Sequence, residues 1–184
     1  MPKVSPKLYP EERAILKAVK SLCGEMNRLS ASTIPHTREC SPVPVSLPSR
    51  MQKAVELLTE LVQYSSPHLS SLPLEEATAA LTAGVAILMK SGSLSKEEVD
   101  DVRKRALRKR RGRPEKIRHL AACAEGLKLT NPTLTWQALA DRLRPQDYPA
   151  YAQQFRKRLR RDVVRLRALL RKINTFLQKQ PSAS

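Results

Sequence analysis

Residue types capable of reaction chemistry are few in this chain and poorly spaced for it. There are three histidines and three cysteines. His36 and Cys40, and again His119 and Cys123, stand four apart, which on a helix puts each pair on one face. Two ligands fall short of the four a structural zinc site requires, and no C-x-x-C pair supplies the rest, so no metal site is expected. Cys123 falls on an apolar stripe, where a cysteine ordinarily serves as a small hydrophobe. The adjacent acids Glu75-Glu76 and Asp100-Asp101 fall in the early turns of helical stretches, where they complement the positive end of a helix dipole. No histidine has a Ser, Cys or carboxylate partner at catalytic spacing, and no glycine-rich phosphate loop is present. Neither an enzymatic activity nor a cofactor is therefore expected. The abundant chemistry is cationic, and its densest stretch, from Val102 to Pro114, reads VRKRALRKRRGRP.

Around that stretch the charge divides. Upstream of Arg103, eleven Lys/Arg face twelve Asp/Glu; from Arg103 onward twenty-three face five, and the 184 residues carry a net +17. A nearly neutral front half joined to an intensely basic back half is the electrostatic footprint of a polyanion partner. Aromatics make up only 4% of the chain, which disfavours stacking on single-stranded bases and leaves duplexes open.

The elements that must position these charges are helical. Alanine, leucine, lysine and arginine dominate, glycines number five, and no run alternates with the period of a strand. The expected fold class is all-α: a small N-terminal helical bundle plus a C-terminal three-helix, helix-turn-helix-like unit with a long basic final helix. Residues 1–9 and the tail 178–184 are expected to be flexible. Residues 10–92 form a helical N-terminal domain interrupted by a Pro/Ser-rich linker at 30–49; residues 93–114 form a helix and basic arm; residues 115–177 form the basic domain. Pro10 with Glu11 and Glu12 opens a helix whose apolar residues recur from Ala14 to Leu29. Further helices are expected near 50–64 and 74–90. The latter is apolar around much of its circumference, contains Gly84 at a point of close approach, and is taken as the central helix of its domain. Ser95 and Glu98 stand at capping-box spacing. In the back half, apolar stripes predict helices over 115–127, 136–143 and 149–177, with Thr135 capping the second.

On the last helix, Leu159, Val163, Leu166, Leu170, Ile173 and Leu177 recur at steps of four and three. That seam fits a dimerising coiled coil, with Asp162 and Arg167 flanking it where two chains could pair, or a core helix packed within the chain. Nine Lys/Arg between Arg156 and Lys172 would repel across a dimer unless an anion neutralised them.

Arg111-Gly112-Arg113-Pro114, followed by a pattern in which Trp136, Leu139, Ala140 and Leu143 take inward positions, resembles the DNA-binding end of serine recombinases and invertases. The resemblance covers about residues 110–160, and the four-residue core also matches an AT-hook. It implies an arm in the minor groove beside a helix in the major groove. Glycine lets such an arm lie deep, and its arginines enter the narrow, negative groove of A·T-rich DNA. Glu115 departs from the AT-hook pattern, in which a further basic residue often follows the core, and the front half lacks the strand pattern of a recombinase catalytic domain.

The candidate minor-groove residues are Arg111, Gly112, Arg113 and Pro114. Major-groove candidates lie in the first turns of the long helix: Gln153, Gln154, Arg156 and Lys157, glutamine pairing with adenine and arginine with guanine. Arg103, Lys104, Arg105, Arg108, Lys109, Arg110, Arg158, Arg160, Arg161 and Arg165 are the candidate phosphate contacts. The expected function is DNA binding by a transcriptional regulator or a mobile-element accessory protein. Structured-RNA binding and a basic scaffold for an acidic partner are the alternatives. A homodimer through the C-terminal helix or the N-terminal domain is a further expected partnership. A membrane is not, because no apolar run approaches the roughly 18 residues a span needs. No charged-then-apolar leader is present, so the expected location is the cytoplasm, with the nucleoid, or the nucleus if the source is eukaryotic.

Overall fold

A computed structural model of the chain describes residues 10–33, 47–64, 71–107, 118–144 and 152–179. These residues form seven helices and the turns between them: α1 Pro10–Thr33, α2 Leu47–Val62, α3 Ser71–Lys90, α4 Lys96–Leu107, α5 Leu120–Thr130, α6 Trp136–Leu143 and α7 Ala152–Gln178. No strand occurs among the described residues, and the fold class is all-α.

Several helices run further than the expected boundaries, each for a local reason. The stretch expected to be a linker at 30–49 gives up both its ends, because α1 continues to Thr33 and α2 begins at Leu47. Ser30 Oγ donates to the Met26 carbonyl at 2.8 Å, which folds a turn-forming hydroxyl back into the helix. Pro48 lies in the first turn of α2 and Pro73 in the first turn of α3, where a missing N–H breaks no intrahelical bond. Helix α5 passes the expected end at Leu127 and reaches Thr130, whose hydroxyl donates to the Gly126 carbonyl at 2.9 Å. The capping box forms as spaced: Ser95 N donates to Glu98 Oε2 at 2.8 Å, and Glu98 N to Ser95 Oγ at 3.2 Å. Residues 1–9, 34–46, 65–70, 108–117, 145–151 and 180–184, with the expectations that fall on them, lie outside the described residues.

Within the front half α3 packs on both α1 and α2, and the helix that chiefly joins the front half to the back is α1. Its apolar face (Ile15, Val19, Leu22, Met26 and Leu29, all buried) packs against α2 and α3 on one side and α5 and α7 on the other. The circumference of α3 is covered on one face only; Ala77, Ala80, Leu81, Val85 and Leu88 are buried while Thr78, Ala79, Thr82, Ala83 and Ala86 are exposed. Alanine on the exposed face reads as apolar yet costs little at a surface. Buried residues of α1, α2, α3, α4, α5, α6 and α7 form one contiguous hydrophobic cluster. The change of charge at Arg103 is thus not a change of core.

Gly84 marks the tightest approach in that core. A Cβ at this position would meet Met26 Cε at 2.5 Å, Val55 Cγ2 at 3.0 Å and Met51 Sδ at 3.3 Å. The methionine ends can turn away; Val55, β-branched and 2% exposed, has nowhere to go. Gly84→Ala gains about 1 kcal/mol of helix propensity but overpacks the site by about 1–3 kcal/mol. A net loss of about 1 kcal/mol is expected, read as a lower urea midpoint at unchanged slope.

One polar clamp crosses the core's edge. Arg50 of α2 donates from Nε to Glu25 Oε1 at 2.8 Å and from Nη1 to the Lys179 carbonyl at 2.7 Å, and its guanidinium stands 4.7 Å from the Phe176 ring centroid. Arg28 forks onto both Glu25 oxygens at 2.9 Å. Glu25 is 5% exposed, and its hydrogen bonds from Arg28 first, then Arg50, hold the carboxyl below the usual carboxylate range against the opposing effect of burial. Arg50 thereby supplies donors to carbonyls at the end of α7, which the helix itself leaves unsatisfied.

Candidate nucleic-acid interface

The basic half is built on α7, with α5 and α6 both packed against it. Thr135 caps α6 by accepting a hydrogen bond from Ala138 N at 3.2 Å. Lys128 Nζ closes the α5–α6 turn by donating to the Pro132 carbonyl at 2.9 Å and also to the Leu134 carbonyl. Leu139 and Ala140 are buried, and Trp136 and Leu143 pack on the core part-exposed. These are the inward positions that the spacing of α6 requires.

The apolar seam of α7 is used inside the chain. Phe155, Leu159, Val163, Leu166, Leu169 and Ile173 are buried in the common core, with Leu170, Phe176 and Leu177 packed at its margin. Of the two packings the heptad spacing admitted, this is core packing. The two flanking residues are committed within the chain as well. Arg167 forks onto Glu125 of α5 at 2.6 and 2.7 Å, and Asp162 is buried. A strict seam of 3.5 residues and a core face of 3.6 differ by only about 20° per heptad, so spacing alone does not separate them.

With its apolar side covered, α7 turns its cations outward. Lys157, Arg160, Arg161, Arg165, Arg171 and Lys172 are exposed, and Arg156 and Arg158 are half-exposed. Gln154, Lys157, Arg158, Arg161 and Arg165 recur on successive turns and line one side of a groove of about 300 Å³. Arg118, from the turn before α5, lines it with them. Arg118 is held from the turn that follows α2: its Nη1 donates to Gln63 Oε1, and its guanidinium lies 6.0 Å from the ring centroid of buried Tyr64. Burial pushes the Tyr64 phenol up, the nearby Arg118 and Arg165 opposing and Asp162 reinforcing the shift. Among the described residues the groove therefore presents five cationic side chains and one acid, Asp162.

Residues expected to read bases and residues expected to bind phosphates lie side by side in this groove. Gln154 and Lys157, assigned to bases, share the groove with Arg158, Arg161 and Arg165, assigned to phosphates. Gln153 is exposed outside the groove lining, and Arg156 turns toward α6, donating to Gln137 Oε1 at 2.9 Å. Arg160 is exposed and does not line the groove. The physical reason is helical phase, since residues 153, 154, 156 and 157 point to different sectors at 100° per residue. Arg103 and Lys104 are exposed on α4, and Arg105 belongs to the same helix. Arg108, Lys109, Arg110 and the arm Arg111, Gly112, Arg113 and Pro114 lie outside the described residues. Arg118 is not among the candidates that spacing suggests; its only local signal is charge, and its position in the groove depends on Gln63 and Tyr64.

A second groove, of about 520 Å³ between α2, α3 and α4, carries the opposite charge, with Glu56, Glu97, Glu98, Asp100 and Asp101 on its walls. The two grooves repeat in space the segregation seen along the chain, and only the first suits a polyanion. Among the described residues no group of three or more His, Cys, Asp or Glu side chains could hold a metal ion, and no helix is long and apolar enough to cross a membrane. Cys23 is buried and its thiol is pushed up to about 11, chiefly by desolvation and then by Glu76. A thiol in that state is a core residue and a poor nucleophile. No family model matches the chain, and no curated protein or solved structure does so either.

Proposed function

We propose that the chain binds duplex DNA, as a transcriptional regulator or a mobile-element accessory protein, through the outward face of α7 together with Arg118. The observation that carries this reading is the groove itself. Five cations from two separate elements converge on one concavity, and one of them, Arg118, is braced in advance by Gln63. Helix-dipole complementation alone accounts for a few cations near a helix C-terminus, whereas these begin in the first turns of α7. The positive end of the same helix dipole adds to their attraction for phosphate. The Arg111–Pro114 arm would lie in the adjacent minor groove, as the resemblance to recombinase DNA-binding ends implies.

Fluorescence anisotropy with A·T-rich and G·C-rich duplexes at several salt concentrations tests this. Arg111→Ala with Arg113→Ala is expected to weaken A·T-rich binding by about 10-fold more than G·C-rich binding, on the scale of about 1–3 kcal/mol per specific contact. Equal losses would reduce the arm to a general basic linker. A structured RNA hairpin bound more tightly than any duplex DNA would move the assignment to RNA.

A further inference from the structure

We infer that the groove between Arg118 and α7 binds a single nucleoside phosphate unit, its cations gripping the phosphate and Asp162 accepting from a neutral N–H or O–H donor of the same nucleotide. Such a site goes beyond duplex binding and stands without it, although Gln154 and the five cations of the groove would serve both.

Asp162 is the residue that points to this ligand. It is 3% exposed, and among the described residues it is the one acid in the lining and its Oδ2 has no hydrogen-bond partner. Buried carboxylate oxygens are ordinarily satisfied, and leaving one bare is costly. The arginines that share the lining, Arg118, Arg158, Arg161 and Arg165, give that oxygen no hydrogen bond, so its acceptor capacity is unused.

A groove built only to hold phosphodiesters gains nothing from such a group. Phosphate oxygens are acceptors, and a carboxylate among the clamping cations repels them. Cations and one acceptor-only side chain together match a ligand that is anionic at one end and donates at the other. Nucleotides have that construction: ribose hydroxyls and the amino and imino groups of bases are donors tied to a phosphate at short range. A volume of about 300 Å³ lies at the small end of ligand sites and suits one such unit. Arg118 is already held by Gln63, so part of the phosphate clamp is set before a ligand arrives. The nucleotide could be free in solution or be an unpaired nucleotide of a strand; the recognising chemistry is the same.

The test uses the full chain and equilibrium binding to inorganic phosphate, to the four ribonucleoside 5′-monophosphates, and to a 5′-phosphorylated hairpin with and without a one-nucleotide overhang. At least one nucleotide probe is expected to bind 10-fold or more tighter than inorganic phosphate. Asp162→Asn should shrink that excess at least 5-fold while leaving phosphate binding unchanged or tighter, because a repulsive charge has gone. Arg161→Gln, at an exposed position, should weaken phosphate and nucleotide alike, and it decides the matter should Asp162→Asn lose its helical signal. Tight binding of free monophosphates identifies a small-molecule ligand, and binding confined to the overhang identifies the strand. An excess below 10-fold for every probe, an excess that survives Asp162→Asn intact, or no loss on Arg161→Gln overturns the site. Blunt duplex binding measured in parallel separates the two readings. Normal duplex affinity with no nucleotide preference sinks the groove ligand alone, and the converse sinks the duplex reading alone.

Discussion

Replacing Arg158, Arg161 and Arg165 together with alanine is expected to weaken duplex DNA binding by about 100-fold at moderate salt and to flatten its salt dependence. The three side chains occupy neighbouring turns on the groove side of α7. Removing one cation from a phosphate costs about 1 kcal/mol net, so three come to about 3 kcal/mol, or roughly two orders of magnitude in Kd. Each removal also forgoes close to one released counterion, and the slope of log K against log salt should fall by about 3. Folding should be untouched or slightly improved, because Arg161 and Arg165 are exposed and Arg158 half-exposed on a crowded cationic face. The measurement is anisotropy at four or five salt concentrations alongside a melting curve. A triple variant with the wild-type slope and affinity would mean that this face does not meet the duplex, whatever else does.

The second large effect concerns stability. Glu25→Ala is expected to destabilise the fold by about 3 kcal/mol, within the range for removing one partner of a buried pair. For a chain of this length that corresponds to a melting temperature lower by about 6–12 °C. The substitution removes the ion pair of Arg50, whose side chain is only 16% exposed, and also that of Arg28, which is half-exposed, so that the second loss costs little. Arg50 keeps the Lys179 carbonyl and the Phe176 ring, which limits the damage. Glu25→Gln preserves the shape and one acceptor and should lose about half as much. The same clamp sets a pH dependence. Because the Glu25 pKa is lowered in the folded state, its contribution is fully present above the pKa of an unfolded glutamate. It fades as pH falls through the lower folded value. Wild type should lose stability in that acid window, and Glu25→Ala should lose less there, so their melting curves should converge toward low pH. Parallel curves would show that the carboxylate's charge is not what holds the clamp.

Much of the helical architecture could be read locally. The capping box at Ser95 and Glu98, the cap at Thr135 and the inward set Leu139, Ala140 on α6 depend on residues within a few positions of one another, and they formed as spaced. Gly84 could be flagged as a point of close approach, though not which side chains it approaches. The candidate site was legible only as a quantity of charge. Residues 154, 157, 158, 161 and 165 could each be picked out in the sequence, but that helical phase gathers them on one wall is seen only in the fold. Arg118, Gln63 and Tyr64 carry no pattern of their own. Glu25 and Arg50 are separated by 25 residues, and Arg50 and Lys179 by 129.

The order of residue types along this chain determines an all-helical fold and a partition of charge between its halves, because helix propensity, caps and amphipathic phase act over one or two turns and net charge needs no geometry at all. Tertiary structure alone decided that the seam of α7 is spent on an internal core, that both halves lean on α1, and that Asp162 is enclosed among arginines. Those outcomes follow from which surfaces meet across long stretches of chain, and a spacing of three and four residues fits a partner helix and a neighbouring helix equally well.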